Sequence, residues 1–171
     1  MIFLFATELE AQKFRDAAPH ATIIICGVGM AECAATTAEV IAKMKQQNNP
    51  QKLILAGIAG SYSLEDVALC EVVEVISEEI SAIPPRFATK YKTKAQTTLR
   101  TVDSNTVNQQ NESKTSVKIE NMEGAAFMAI CAKANIEHLQ IRAISNKVGD
   151  PFPLWQVDKA CEALCEVLLT L

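Results

Sequence analysis

The sequence is short of aromatics, histidine and positive charge, and each shortage narrows what the protein can be. Aromatic residues make up 5% of 171, so aliphatic side chains must build most of the core. Two histidines occur, His20 and His138, too few for a convincing zinc centre. None of the six cysteines forms a CxxC pair. Most of them lie in apolar runs and read as free, buried thiols of a reducing compartment. No metal and no cofactor is expected. Lysine and arginine number 16 against 20 acidic residues, a net charge of -4, which argues against a nucleic-acid partner. No apolar run approaches the ~20 residues of a membrane span. The opening MIFLFATELE lacks a basic stretch and is expected to be a strand, not a signal peptide. A cytoplasmic protein with no membrane partner follows as the expectation.

What is present is a strand-and-helix alternation. Residues 2–6 form an apolar run of strand length, and Thr7 can cap a helix with Glu8 and Glu10 in its first turn. Residues 22–26, TIIIC, read as a β-branched strand buried on both faces. Gly27-Val28-Gly29 turns into a helix over about 31–45, with small residues at Ala31, Ala34, Ala35 and Ala38. Residues 52–56 form the next strand, running into a second glycine turn at 57–61, GIAGS. Strand character returns over 67–76. Residues 78–96 read as an exposed loop with a solvated basic face, 97–102 as a strand and 108–114 as a polar loop. The chain closes on an amphipathic helix within 155–171. This alternation predicts a single-domain, three-layer α/β fold over 1–171, with a mixed, largely parallel central sheet.

Residues 119–150 carry the densest signal. A short strand delivers Glu123 to a helix entered through Gly124-Ala125-Ala126, and a buried strand over 138–144 delivers Ser145 and Asn146. One β-α-β unit thus places an acid and an amide at neighbouring strand ends, where ligands bind in open α/β sheets.

Glu10 in ATELEA, Gly57-Ile58-Ala59-Gly60, Met122-Glu123-Gly124-Ala125-Ala126 and Arg142-Ala143-Ile144-Ser145-Asn146 stand in the order of the purine nucleoside phosphorylase/nucleosidase superfamily, which the chain resembles over residues 2–79 and 98–158. NMEGAAF, QIRAISNKVGD and Trp155 resemble the futalosine hydrolase family, a relative of the methylthioadenosine/S-adenosylhomocysteine nucleosidases. The resemblance implies hydrolysis of the N-glycosidic bond of a purine nucleoside. Futalosine, cleaved to hypoxanthine in menaquinone synthesis, is the first expected substrate. A methylthioadenosine/S-adenosylhomocysteine nucleosidase releasing adenine and an inactive nucleoside-binding homologue are the alternatives. A homodimer or larger homo-oligomer is implied as well. Residues 80–97, which in the family help build the pocket for the 5′ substituent, depart from its pattern and read as a shortened loop.

The chemistry assigns roles within that resemblance. Cleavage through an oxocarbenium-like ribose needs a base for water, a clamp for the sugar and a partner for the leaving purine. Glu10 is the candidate base and Glu123 the bidentate clamp for adjacent ribose hydroxyls, with Met122 as an apolar face beside it. Asn146 stands where relatives acting on 6-aminopurines have Asp; its carbonyl can accept from protonated N7 while its NH₂ donates to a 6-oxo group. Ala59, Gly60, Asn105, Thr106 and Ser145 complete the expected substrate-binding set, and Arg142 is read as part of a supporting network. Phosphorylases of the superfamily hold phosphate with arginines near the first and third strand ends. ATELEA and GIAGSYS contain none, so water is the expected acceptor.

Overall fold

A computed structural model describes residues 1–110 and 116–171. Among the described residues, eight strands and four α-helices follow in the order β1 (Ile2–Phe5), α1 (Glu8–Ala17), β2 (Thr22–Ile25), α2 (Met30–Gln46), β3 (Leu53–Ser61), β4 (Val72–Glu79), β5 (Tyr91–Lys92), β6 (Thr101–Thr106), β7 (Ile119–Asn121), α3 (Gly124–Ala134), β8 (His138–Lys147) and α4 (Val157–Leu168). The sheet is mixed and mostly parallel. β1 lies parallel between β2 and β3, and β3 runs parallel to β8 over nearly its whole length.

Strand alternation sorts the core into layers. Phe3, Phe5, Ile54 and Ala56 point toward α1 and α4, packing with Phe14, Leu164 and Leu168. Ile2, Leu4, Leu53 and Leu55 point the other way, toward Val40, Ile41 and Met44 of α2 and Phe127 and Met128 of α3. This period of two is why those strands read as continuous apolar runs: both faces are covered.

The far half of the sheet closes on itself. β3 pairs β8, β8 pairs β4 antiparallel, β4 pairs β6, β6 pairs β7, and β7 returns antiparallel to β3 at Gly60 and Ser61. Val73, Val75, Val102, Ile119 and Ile144 fill this five-stranded ring. β3 can serve both parts because it is long. Its first residues pair with β1, and its last pair with β7.

Several local expectations are corrected here. β2 is an edge strand, with Thr22 and Ile25 exposed and Ile23 and Ile24 only half-buried, so it is not covered on both faces. Residues 57–61 are no turn; they continue β3, because β8 supplies hydrogen bonds along them. Strand 67–76 shifts to Val72–Glu79, and 97–102 shifts to Thr101–Thr106. Glu78, expected in an exposed loop, lies in β4 and is fully buried. β7 and β8 are not neighbours, since β3 stands between them. The expected polar loop at 108–114 lies partly outside the described residues. All six cysteines are free, five of them buried. Among the described residues no helix is long and apolar enough to cross a membrane.

Candidate active site

A cavity of about 320 Å³ opens where β1, β3, β7 and β8 end. Its walls include Glu10, Ala59, Gly60, Met122, Glu123, Ser145 and Asn146. Seven of the nine residues expected from the sequence are therefore brought together there, from segments more than 130 residues apart.

Glu10 arrives through a capping box. Thr7 is the N-cap of α1, its side chain accepts from Glu10 N, and Glu10 Oε2 accepts from Thr7 N at 3.0 Å and Thr7 Oγ1 at 2.8 Å. Its other oxygen accepts from Ile58 N of β3 at 3.0 Å. One local motif thus bends the carboxylate back over the strand ends. Glu10 is buried, and burial outweighs the hydrogen bond from Ile58 and the nearby Arg142 guanidinium, raising its pKa above the ordinary 4.5. A carboxylate displaced toward neutrality is a stronger proton acceptor than a solvated one.

Glu123 sits at the N-cap position of α3 but makes no capping bond to its own helix. Its Oε1 accepts from Gly29 N at 3.0 Å, and its Oε2 accepts from Arg142 Nη2 at 3.2 Å in a buried ion pair. Gly29 has φ +89°, the left-handed region in which glycine is favoured, so it can turn its N–H toward Glu123. Arg142 is the hub. Nη1 donates to Ile58 O at 3.2 Å, and Nη2 also donates to Asn121 Oδ1 at 3.1 Å. One guanidinium therefore ties Glu123 to the same residue, Ile58, whose N–H holds Glu10. Gly57 makes room for this: a Cβ there would stand 2.7 Å from Arg142 Nη1 and 2.8 Å from Glu10 Oε1.

The third polar element depends on a bulge. The β3/β8 register jumps from Ala59↔Ile144 to Gly60↔Asn146, leaving Ser145 as an extra residue in β8. A bulge re-aims side chains, so consecutive Ser145 and Asn146 both line the cavity. Ser145 Oγ lies 2.8 Å from Asn146 Oδ1, and Asn146 Nδ2 donates to Lys147 O at 3.0 Å.

Asn105 and Thr106 do not reach the cavity wall. Asn105 Nδ2 donates to Ser81 Oγ, and its Oδ1 accepts from Ser81 N. Thr106 Oγ1 donates to buried Glu78 and accepts from Ala125 N. With Asn121 Oδ1, which accepts from Glu123 N and Gly124 N, Thr106 caps α3 from outside the helix. Glu78 anchors both caps, accepting from Thr106, Asn121 and Gln140. Thr106 is thus a support of α3, while Asn105 ties β6 to Ser81 and Tyr62.

Sequence reasoning missed Glu120, Gln110, Val28 and Phe152 as wall residues. No periodicity could have marked Glu120, because β7 is three residues long. Phe152 was more legible: it stands in the PFPLW segment and its ring packs 5.4 Å from Trp155, which also lines the cavity. None of the described wall residues is lysine or arginine.

No family model matches this sequence, and no curated protein matches it. Solved structures do. The apo 5′-methylthioadenosine nucleosidase of Arabidopsis thaliana superposes with a TM-score of 0.85 at 15% identity, over 99% of this chain and 92% of the other. The fold is that of the purine nucleosidases. Two more nucleosidase-fold structures, both from Helicobacter pylori, agree. The 5′-methylthioadenosine/S-adenosylhomocysteine nucleosidase bound to butyl-thio-DADMe-Immucillin-A gives 0.81 at 15% identity, over 98% and 95% of the two chains. Native futalosine hydrolase gives 0.80 at 16%, over 98% and 94%.

Proposed function

We propose that this nucleosidase-fold protein hydrolyses the N-glycosidic bond of a purine nucleoside, with a futalosine-type 6-oxopurine nucleoside as substrate. The observation that carries the reading is the convergence of Glu10, Glu123 and Asn146 on one cavity. Glu10 takes the proton of the attacking water. Its raised pKa suits that role, and its three hydrogen bonds fix its direction. Glu123, held by Arg142 and Gly29, accepts from the ribose hydroxyls, with Met122 against the sugar face. Asn146 carries a carbonyl for N7–H and an NH₂ for a 6-oxo group; N7 takes its proton from solvent as the glycosidic bond breaks, and Glu10 afterwards returns to solvent the proton taken from the attacking water. The absence of lysine and arginine from the described wall leaves water, not phosphate, as acceptor.

Asn146 is what favours the 6-oxopurine over the 6-aminopurine. An adenine would leave its amide mismatched, at a cost of ~1–3 kcal/mol, or up to roughly 10²-fold in preference. The exposed apolar rim at Leu9, Val28 and Phe152 supports a homo-oligomer in which a second copy covers the mouth. Incubation with futalosine and with methylthioadenosine, followed by chromatography of the released base, tests the substrate. Hypoxanthine from futalosine is expected. Adenine alone would reassign the protein to methylthioadenosine-type cleavage, and neither base, with purine binding retained, would make it a binding homologue.

A further inference from the structure

Glu78 has no part in the reaction described above and does not line the cavity, yet the sugar clamp hangs from it. It stands near the end of β4 and is fully buried. Its Oε1 accepts from Asn121 Nδ2 at 2.6 Å and Gln140 Nε2 at 2.9 Å, and its Oε2 accepts from Thr106 Oγ1 at 2.9 Å. None of these partners is charged. The carboxylate lies against the N-terminus of α3, where negative charge is favoured. It comes so close that a Cβ on Gly124 would overlap Oε1 and stand 2.7 Å from Gln140 Nε2. A poor helix former thus opens α3 because any side chain there would evict Glu78.

Asn121 is the relay. Its Oδ1 accepts from Glu123 N at 2.9 Å, Gly124 N at 2.6 Å and Arg142 Nη2 at 3.1 Å, and the same Nη2 holds Glu123 Oε2 at 3.2 Å. The backbone of the clamp and the guanidinium that aims its carboxylate both depend on an oxygen at that position. An asparagine amide has an oxygen end and a nitrogen end of nearly the same shape. Turned over, it would set its NH₂ against the N–H groups of Glu123, Gly124 and Arg142. Its other side decides the matter: Nδ2 donates to Glu78 Oε1 and to Ser104 Oγ at 2.8 Å. A serine hydroxyl can donate or accept and does not choose; the carboxylate oxygen accepts and does. Glu78 orients Thr106 as well, taking its hydrogen and leaving the oxygen for Ala125 N.

We propose that Glu78 is a positioning residue for ribose recognition: by accepting from Asn121 Nδ2 it fixes which end of that amide faces Arg142 and α3, and so holds Glu123 ready for the sugar hydroxyls. This rests on the reading of the cavity as a nucleoside site. The role requires an acceptor at Oε1, not a charge. A glutamine with its oxygen there keeps the bonds from Asn121 and Gln140, and its NH₂ donates to Thr106 Oγ1, which can accept it beside Ala125 N. A methionine of similar size keeps none of these bonds.

Calorimetry of the intact protein with hypoxanthine and with formycin B separates base binding from sugar binding. Formycin B is the C-nucleoside counterpart of inosine, and its carbon–carbon bond to the sugar cannot be hydrolysed. In Glu78→Met, formycin B is expected to bind at least about tenfold more weakly, the scale of a lost hydrogen bond to a charged group, while hypoxanthine stays within about threefold of the parent. Glu78→Gln is expected to restore formycin B to within about threefold of the parent. Loss of both ligands by the same factor in Glu78→Met, or formycin B within about threefold of the parent, overturns the proposal and leaves the nucleoside site standing. So does a Glu78→Gln protein that binds formycin B as weakly as Glu78→Met. If Glu78→Met does not melt cooperatively, Glu78→Asp, which keeps the charge but withdraws the carboxylate by one methylene, replaces it under the same criteria. A parent protein that does not bind formycin B overturns the proposal together with the reading of the cavity beneath it.

Discussion

Gly57→Ala is the substitution whose outcome the structure dictates most directly. The position lies inside β3, and its φ is not in the left-handed region, so an alanine meets no backbone strain. What it meets is space already taken. The new Cβ would lie 2.7 Å from Arg142 Nη1 and 2.8 Å from Glu10 Oε1, where ordinary contacts begin near 3.4 Å. Arg142 is 1% exposed and does not line the cavity, so it has nowhere to move, and Glu10, 6% exposed, can yield only toward the cavity. Overpacking of this kind costs ~1–3 kcal/mol, partly offset by the ~0.5–1 kcal/mol that alanine gains over glycine through the unfolded state. The net loss of about 1–2 kcal/mol lowers Tm by roughly 2–8 °C in a chain of this length. Activity should suffer more. Glu10 must give way by several tenths of an ångström to relieve the contact, and misplacement approaching 1 Å costs about 10²-fold in rate. The expected variant melts slightly early, binds free base within about threefold of the parent, and releases base about 10²-fold more slowly. Thermal melts and base release by chromatography read both quantities. Turnover within threefold of the parent would refute the close packing of Gly57, Arg142 and Glu10.

Other outcomes follow from the same geometry. Glu10→Gln should remove the proton acceptor and reduce kcat by at least about 10²-fold while base affinity, read by calorimetry, stays near the parent's; activity within tenfold would show that Glu10 is not the base. Because the Glu10 pKa is raised, the rate should fall as pH drops through a value above 4.5, measured as the acid limb of kcat/KM. Glu78 is raised chiefly by its complete burial. Its folded form binds the proton more tightly than the unfolded chain, so stability is full below about 4.5 and declines as pH rises toward the folded pKa. Glu78→Gln should flatten that decline in denaturant titrations across pH, and an unchanged slope would exclude Glu78 as its source. Asn146→Asp should move the ratio of kcat/KM values toward 6-aminopurine nucleosides; an unaltered ratio would remove Asn146 from base selection.

The place of Glu10 in the cavity was legible because the local signal that starts the helix also fixes the side chain. A threonine, a first-turn glutamate three residues on and a strand before them specify a capping box, and the box itself aims the carboxylate at the strand ends. The MEGAA and RAIS segments were legible for a related reason: Glu123 and Asn146 stand at element termini that local propensity marks. That Asn105 and Thr106 lie outside the cavity wall was not legible, because nothing in DSNTV tells whether a strand-end side chain faces a cavity or a neighbouring element.

By itself, the sequence determined the alternation of strands and helices, the period-two burial of β1 and the first half of β3, and the element ends at which Glu10, Glu123 and Asn146 stand. These are short-range properties, decided within a few residues by capping, β-branching and apolar runs. Tertiary structure alone decided that 57–61 remains strand, that β2 is an edge, that Glu78 is buried, and that Ser145 bulges so that Asn146 faces the cavity. Each of these depends on which strand lies alongside, and pairing partners from 13 to 86 residues distant leave no trace in local composition. The ring that β3 closes with β7 and β8 is the clearest case. It sets Glu120 and Asn146 on either side of Gly60, and no local pattern in the sequence places those three residues together.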